Sequence, residues 1–153
     1  MKTLKLTAKH FEKRPGEYGL FYIGTESVTD FNGSIEIDAN IGWCRFASRL
    51  AARGSIIAKA GSGIEAGDGI EAGWGIEAGD GIKAGWGIEA GKGIKAGRFI
   101  LCIKALKAGY CIFAGVNTRK RVMEDADKTV TCGSLEGKLE YGTLKLLKNG
   151  KTL

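Results

Sequence analysis

From Ile64 to Ile100 an isoleucine recurs at every sixth residue, and from Ala66 to Ala96 an alanine follows each one two positions later. Between them stands Glu65, Glu71, Glu77, Lys83, Glu89 or Lys95. Apolar, charged, apolar over three residues is the alternation of a short strand, with the charged side chain pointing away from the apolar pair. A helix would turn through roughly 600° in six residues and spread the isoleucines around its surface. The glycines that follow each alanine predict a bend, since glycine reaches backbone conformations that other residues avoid. Strand and bend repeated without interruption predict a parallel β-solenoid. The spacing carries this register from Ala58 to Asn117, sixty residues or ten hexads. Ala58, Leu106 and Ile112 fill the large apolar slot, and Ala60, Cys102, Ala108 and Ala114 the small one. Upstream, residues 33–56 keep a looser alternation and predict the first coils in degenerate form.

The outward residues set the length of a coil. Asp68, Trp74, Asp80 and Trp86 repeat every twelve residues, which suggests two hexads per coil with Trp stacked on Trp. Twelve-residue coils would also stack Glu65, Glu77 and Glu89 about 4.8 Å apart, a destabilising ladder of like charge, around a thin core. Eighteen-residue coils instead put Glu65 beside Lys83, Glu77 beside Lys95 and Asp80 beside Arg98, leaving one unfavourable pair, Glu71 beside Glu89. The charges favour three-sided coils of eighteen, and duplication of a gene segment accounts for the twelve-residue identity.

The stretch resembles the hexapeptide-repeat left-handed β-helix in its six-residue period with an aliphatic corner residue. That family places a small residue four positions after the aliphatic one, where this chain has Asp, Trp or Lys. It also resembles the bactofilin type of polymer-forming solenoid, whose hexads read G-x-I-x-A; here a second glycine makes G-x-G-I-x-A. The resemblance spans residues 58–117 and is one of architecture, which does not fix function.

Solenoid ends expose strand edges that recruit other chains unless covered. Residues 1–33 predict a β-rich N-terminal cap: a strand at TLKLT, a turn through Pro15 and Gly16, a strand at GLFYIG, and the bulk of Phe11, Tyr18, Phe21, Tyr22 and Phe31. The solenoid is expected over 34–117. Residues 118–153 predict a charged loop and then a C-terminal β cap of two or three strands. The whole is a single all-β domain.

Composition changes this picture little. Four cysteines without a secretory leader read as reduced thiols of a cytoplasmic protein, and no apolar run is long enough to span a membrane. The net charge of +6 suggests attraction to acidic partners. His10, the sole histidine, lies outside the repeat, where an acyltransferase base is not expected. The cysteines have neither zinc-ligand spacing nor histidine partners. Repeated bends do not make a phosphate loop, which needs a strand before it and a helix after. No catalytic residue, metal or cofactor is therefore expected.

The charge distribution says more. Between Ala90 and Met123 there is no acid, while Lys92, Lys95, Arg98, Lys104, Lys107, Arg119, Lys120 and Arg121 accumulate, interleaved with Phe99, Tyr110 and Phe113. Such a region suits an acidic protein surface or a nucleic-acid backbone; it also suits a solvated face paired with the acidic coils. Trp74 and Trp86, at bends, either present interface anchors or fold over the neighbouring glycines.

These readings lead to a non-enzymatic interaction protein that uses a ridge of Trp74 and Trp86 and a basic end from Lys92 through Tyr110 to Arg121. The expected partner is a larger protein or nucleoprotein complex, with nucleic acid as the other acidic candidate, homo-oligomers as a further one, and no membrane. A small chain of this kind suits a phage or mobile-element product that blocks a host defence complex; general character, and no motif, carries that expectation. A self-assembling bactofilin-like scaffold is the alternative, and a hexapeptide-repeat acyltransferase a distant third.

Overall fold

A computed structural model describes residues 1–116, 124–148 and 151–152. Short strands follow one another around the molecule and stack in parallel register on those of the preceding coil. The first stack holds Gly33–Ile37, Ile56–Ala58, Ile76–Ala78 and Ile94–Ala96, then the second half of Ala105–Ala114. The second holds Gly42–Phe46, Ser62–Ala66, Ile82–Ala84, Ile100–Cys102 and Thr129–Cys132. The third holds Leu50–Ala52, Ile70–Ala72, Ile88–Ala90 and the first half of Ala105–Ala114. The chain is an all-β parallel solenoid.

Register fixes the coil. Ile64 pairs with Ile82, Ile70 with Ile88, Ile76 with Ile94, and Ile82 with Ile100, each eighteen residues on. The expected charge neighbours follow: Lys83 lies 3.7 Å from Glu65, Lys95 3.5 Å from Glu77 and Arg98 3.3 Å from Asp80. Glu71 sits beside Glu89. Every isoleucine from Ile64 to Ile100 is at most 1% exposed. Burying one such side chain stabilises the fold by about 1.5–3 kcal/mol, so the inner column is the main source of cohesion.

Two expectations about the repeat need correction. The register does slip at its start. Ala58 faces Ala78 in the small slot, and Ile56 fills the large slot opposite Ile76. Ala60 is an exposed turn residue. Ile56 to Ile76 spans twenty residues, two more than a regular coil; the surplus is accommodated around Gly61, whose φ is +78°. The role of the hexad glycines also differs. None from Gly67 to Gly109 has positive φ. The glycine directly after each alanine lies against the carbonyl of the coil before: a Cβ on Gly73 would strike Arg53 O, and one on Gly85 or Gly91 would strike Gly67 O or Gly73 O. Close backbone approach between coils, rather than an unusual bend, requires glycine there.

The first 33 residues add to the stacks. Lys2–Leu6 pairs parallel with Gly33–Ile37, Leu20–Tyr22 with Gly42–Phe46, and Phe31 bridges Ala52. Phe11–Glu12 turns back antiparallel on Leu20–Tyr22. The rings of Phe11, Tyr22 and Phe46 lie 5.4–5.9 Å apart and close this end. At the other end Ser134–Tyr141 continues the third and first stacks, and Thr143–Lys148 the second. Ile100 pairs with Val130, thirty residues on and twelve more than a regular coil. The returning turn, Asp125–Lys128, is held by buried Asp127, which accepts a hydrogen bond from Arg98 Nε at 2.9 Å.

Candidate interaction surface

Each regular hexad exposes two side chains, one at the middle of the strand and one at the following bend. With eighteen residues per coil, residues eighteen apart lie over one another. On the third stack this arithmetic builds three rows: Asp68, Glu71, Trp74; then Trp86, Glu89, Lys92; then Lys104, Lys107, Tyr110. Backbone hydrogen bonds tie the rows at both corners. Trp86 N donates to Asp68 O and Lys104 N to Trp86 O, at 3.2 and 3.0 Å. Lys92 N donates to Trp74 O and Tyr110 N to Lys92 O, at 2.8 and 3.1 Å.

Six of the expected site residues therefore share one face: Trp74, Trp86, Lys92, Lys104, Lys107 and Tyr110. The two tryptophans do not form a ridge. Twelve residues is two-thirds of a coil, so they stand at opposite corners of the third stack in successive rows. Nor do the described basic residues share one face, because a coil carries them around the girth. Lys95 lies on the first stack, paired with Glu77. Arg98 lies at the corner between the first and second stacks, held by Asp80 and Asp127. Arg119, Lys120 and Arg121 lie outside the described residues.

Trp86 is 61% exposed, Trp74 47% and Tyr110 66%. The ammonium of Lys104 sits 4.9 Å from the Trp86 ring and that of Lys92 5.4 Å from the Trp74 ring, within cation–π range. A shallow groove of about 440 Å³ runs beside Trp86, walled by Asp68, Glu71, Glu89, Lys104 and Lys107, with Arg49 at its head. Arg49 pairs with Glu71 at 2.5 Å. Glu89 faces Glu71 on one side and Lys107 on the other, yet neither Glu89 nor Lys107 has an ion pair within 4 Å among the described residues. A second groove of about 320 Å³ on the first stack is lined by Ile57, Glu77, Lys95, Tyr110, Cys111 and Phe113; Tyr110 stands on the corner between the two. The acidic members, Asp68, Glu71 and Glu89, were not among the expected site residues. Counting by eighteen would have placed them there.

The outer face of the second stack is filled by the protein itself. Glu65 accepts a hydrogen bond from the Tyr18 hydroxyl at 2.6 Å and pairs with Arg45 at 3.4 Å and Lys83 at 3.7 Å. Arg45 also reaches Glu17 at 2.9 Å and lies over the rings of Tyr18 and Phe21. Partial burial, and next the neighbouring Glu65, raise the Tyr18 pKa above its ordinary value.

His10 Nδ1 accepts a hydrogen bond from Thr7 N at 2.9 Å in a short turn. All four cysteines are free thiols; burial pushes Cys44 and Cys102 up to about 12, and Cys111 alone is not buried. Among the described residues no cluster of His, Cys, Asp or Glu could hold a metal ion, and no helix is long and apolar enough to cross a membrane. Compared with known protein families, curated proteins and solved structures, the chain matches none.

Proposed function

We propose that this protein is a non-enzymatic binding module whose third stack docks onto a larger protein or nucleoprotein partner. The observation that carries this reading is the state of that face: two exposed tryptophans and a tyrosine, with Glu89 and Lys107 between them in no ion pair within 4 Å among the described residues. Aromatic anchors that are already rigidly placed lose little freedom on binding. The mixed signs suit a protein surface of mixed charge better than the uniform charge of a nucleic-acid backbone. Reduced thiols accord with a cytoplasmic site of action. A phage or mobile-element inhibitor of a host defence complex is the biological setting we attach to this module. The architectural kinship we favour is with bactofilin-type or hexapeptide-repeat solenoids.

The test is affinity capture from the cell of origin with wild type, Trp74→Ala/Trp86→Ala and Lys104→Glu/Lys107→Glu. The proposal expects one partner retained by wild type and lost by both variants, and retained after nuclease treatment. Unchanged capture by both variants would remove the surface from consideration, and loss on nuclease treatment would transfer the reading to nucleic acid.

A further inference from the structure

Among the described residues nothing covers the inner side of the last coil. Leu135, Leu139, Leu144 and Leu146 stand in register with Leu106, Ile112, Val130 and Cys132, four residues that are 0% exposed. They occupy inward slots, yet Leu144 and Leu146 are 38% and 39% exposed, and nearby Tyr141 is 46% exposed. Among the described residues Ser134–Tyr141 pairs only with Ala105–Ala114. Lys151–Thr152 takes the outer edge of Leu147 and Lys148, and leaves that of residues 143–146 open. At the N-terminal end the inward residues Leu6, Phe11 and Val28 are buried, and Phe11–Glu12 turns back antiparallel on Leu20–Tyr22.

We propose that two copies of this chain associate through their last coils, as a closed two-fold pair. Open strand edges and uncovered core leucines together define a surface that another solenoid end of the same shape completes. The end of a solenoid is a ramp that rises by one strand spacing, about 4.8 Å, per turn. Two identical ramps face each other when the two-fold axis crosses the step, with residues 143–146 as the open edge of the second stack, since Lys151–Thr152 takes that of Leu147 and Lys148. The step lies where residues 143–148 of the second stack overhang residues 134–136 of the third. On a three-sided coil the opposite point is the middle of the first stack, at Leu139. The first-stack segments 138–141 of the two copies then run antiparallel, with Leu139 against the partner's Leu139. Lys138 lies opposite the partner's Glu140, and Glu140 opposite the partner's Lys138, the favourable cross-strand combination. Lys138 and Glu140 already project on one side, 2.7 Å apart within the chain. With both uncovered ends consumed, assembly stops at two. The pair does not involve the third-stack rows, so its failure would leave the proposed docking surface standing.

The test is solution mass of the full chain by sedimentation across a concentration series. The proposal expects a two-chain species and nothing larger. Lys138→Glu and Glu140→Lys, made singly, place like charges opposite each other twice and raise the dissociation constant about tenfold or more. The double swap restores pairing. Leu146→Glu abolishes the pair with unchanged circular dichroism; should that variant unfold, the charge swap still decides. A single-chain mass at every concentration would overturn the proposal, as would growth beyond two. Single reversals without effect, or a double swap that stays dissociated, would overturn the register.

Discussion

The second and third stacks are made of the same hexads on the same core, and their outer faces have opposite characters. On the second, Glu65 is gripped by Tyr18, Arg45 and Lys83, and its side chain is only 13% exposed. On the third, Glu89 lies beside Glu71 and has no ion pair within 4 Å among the described residues, between two exposed tryptophans. A backbone that repeats this strictly gives every face the same scaffold. What separates the faces is the identity of two outward positions per hexad and whether a segment from elsewhere folds over them. Residues 17–21 supply that cover for the second stack; among the described residues nothing supplies it for the third.

The largest expected effect tests whether the core is truly common to both faces. Ile82→Ala on the second stack and Ile88→Ala on the third should each lower the unfolding free energy by about 3 kcal/mol in urea titrations. A difference above about 1 kcal/mol between them would show that the inner columns are not equivalent. The next effect separates glycines by position at the corner bearing Trp74. Gly73→Ala drives a Cβ into the carbonyl of Arg53 and should cost about 2 kcal/mol. Gly75→Ala meets Gly93 O at 3.4 Å, ordinary contact, and should cost under about 1 kcal/mol. Equal losses would mean that both glycines are needed for conformation rather than for room.

Smaller effects address the outer faces. Glu65→Gln removes the charge and one of the two acceptor oxygens at the centre of a half-buried cluster and should cost about 1–2 kcal/mol. Glu89→Gln should leave stability within about 0.5 kcal/mol of wild type or raise it slightly, because it relieves Glu71. A loss at Glu89 equal to that at Glu65 would contradict the distinction between the faces. Smallest of all is a labelling difference. Burial holds Cys44 and Cys102 up to about 12, so only Cys111 should react promptly with a thiol reagent in the native protein. Rapid modification of Cys102 without unfolding would mean that the second stack opens.

Much of this architecture is legible in the sequence, because period-six isoleucines and alternating charge carry both the strand pattern and the coil length. The pairing of Glu65 with Lys83 could be read by counting. Other features could not. The slip at Ala58 is hidden because alanine fits either slot, and Ala60, at the spacing of the small slot, imitates the repeat while standing in a turn. The requirement for glycine beside Arg53 O or Gly67 O exists only once coils stack. The site was partly legible. Exposed tryptophans stand out in any glycine-rich repeat, but grouping the lysines by nearness along the chain misleads in a solenoid. There Lys92 and Lys95 are neighbours in sequence and face different directions, while Trp74 and Lys92 are eighteen residues apart and touch. The offset that set the coil also sets the face.

The most direct measurement of the central claim is quantitative partner capture by two matched variants, one on each face. Trp74→Ala/Trp86→Ala alters the third stack, and Lys83→Ala/Leu101→Ala the second, both on an intact core. Affinity should fall at least about tenfold for the first and stay within about twofold of wild type for the second. Equal losses, or loss confined to the second-stack variant, would contradict the assignment of binding to the third stack.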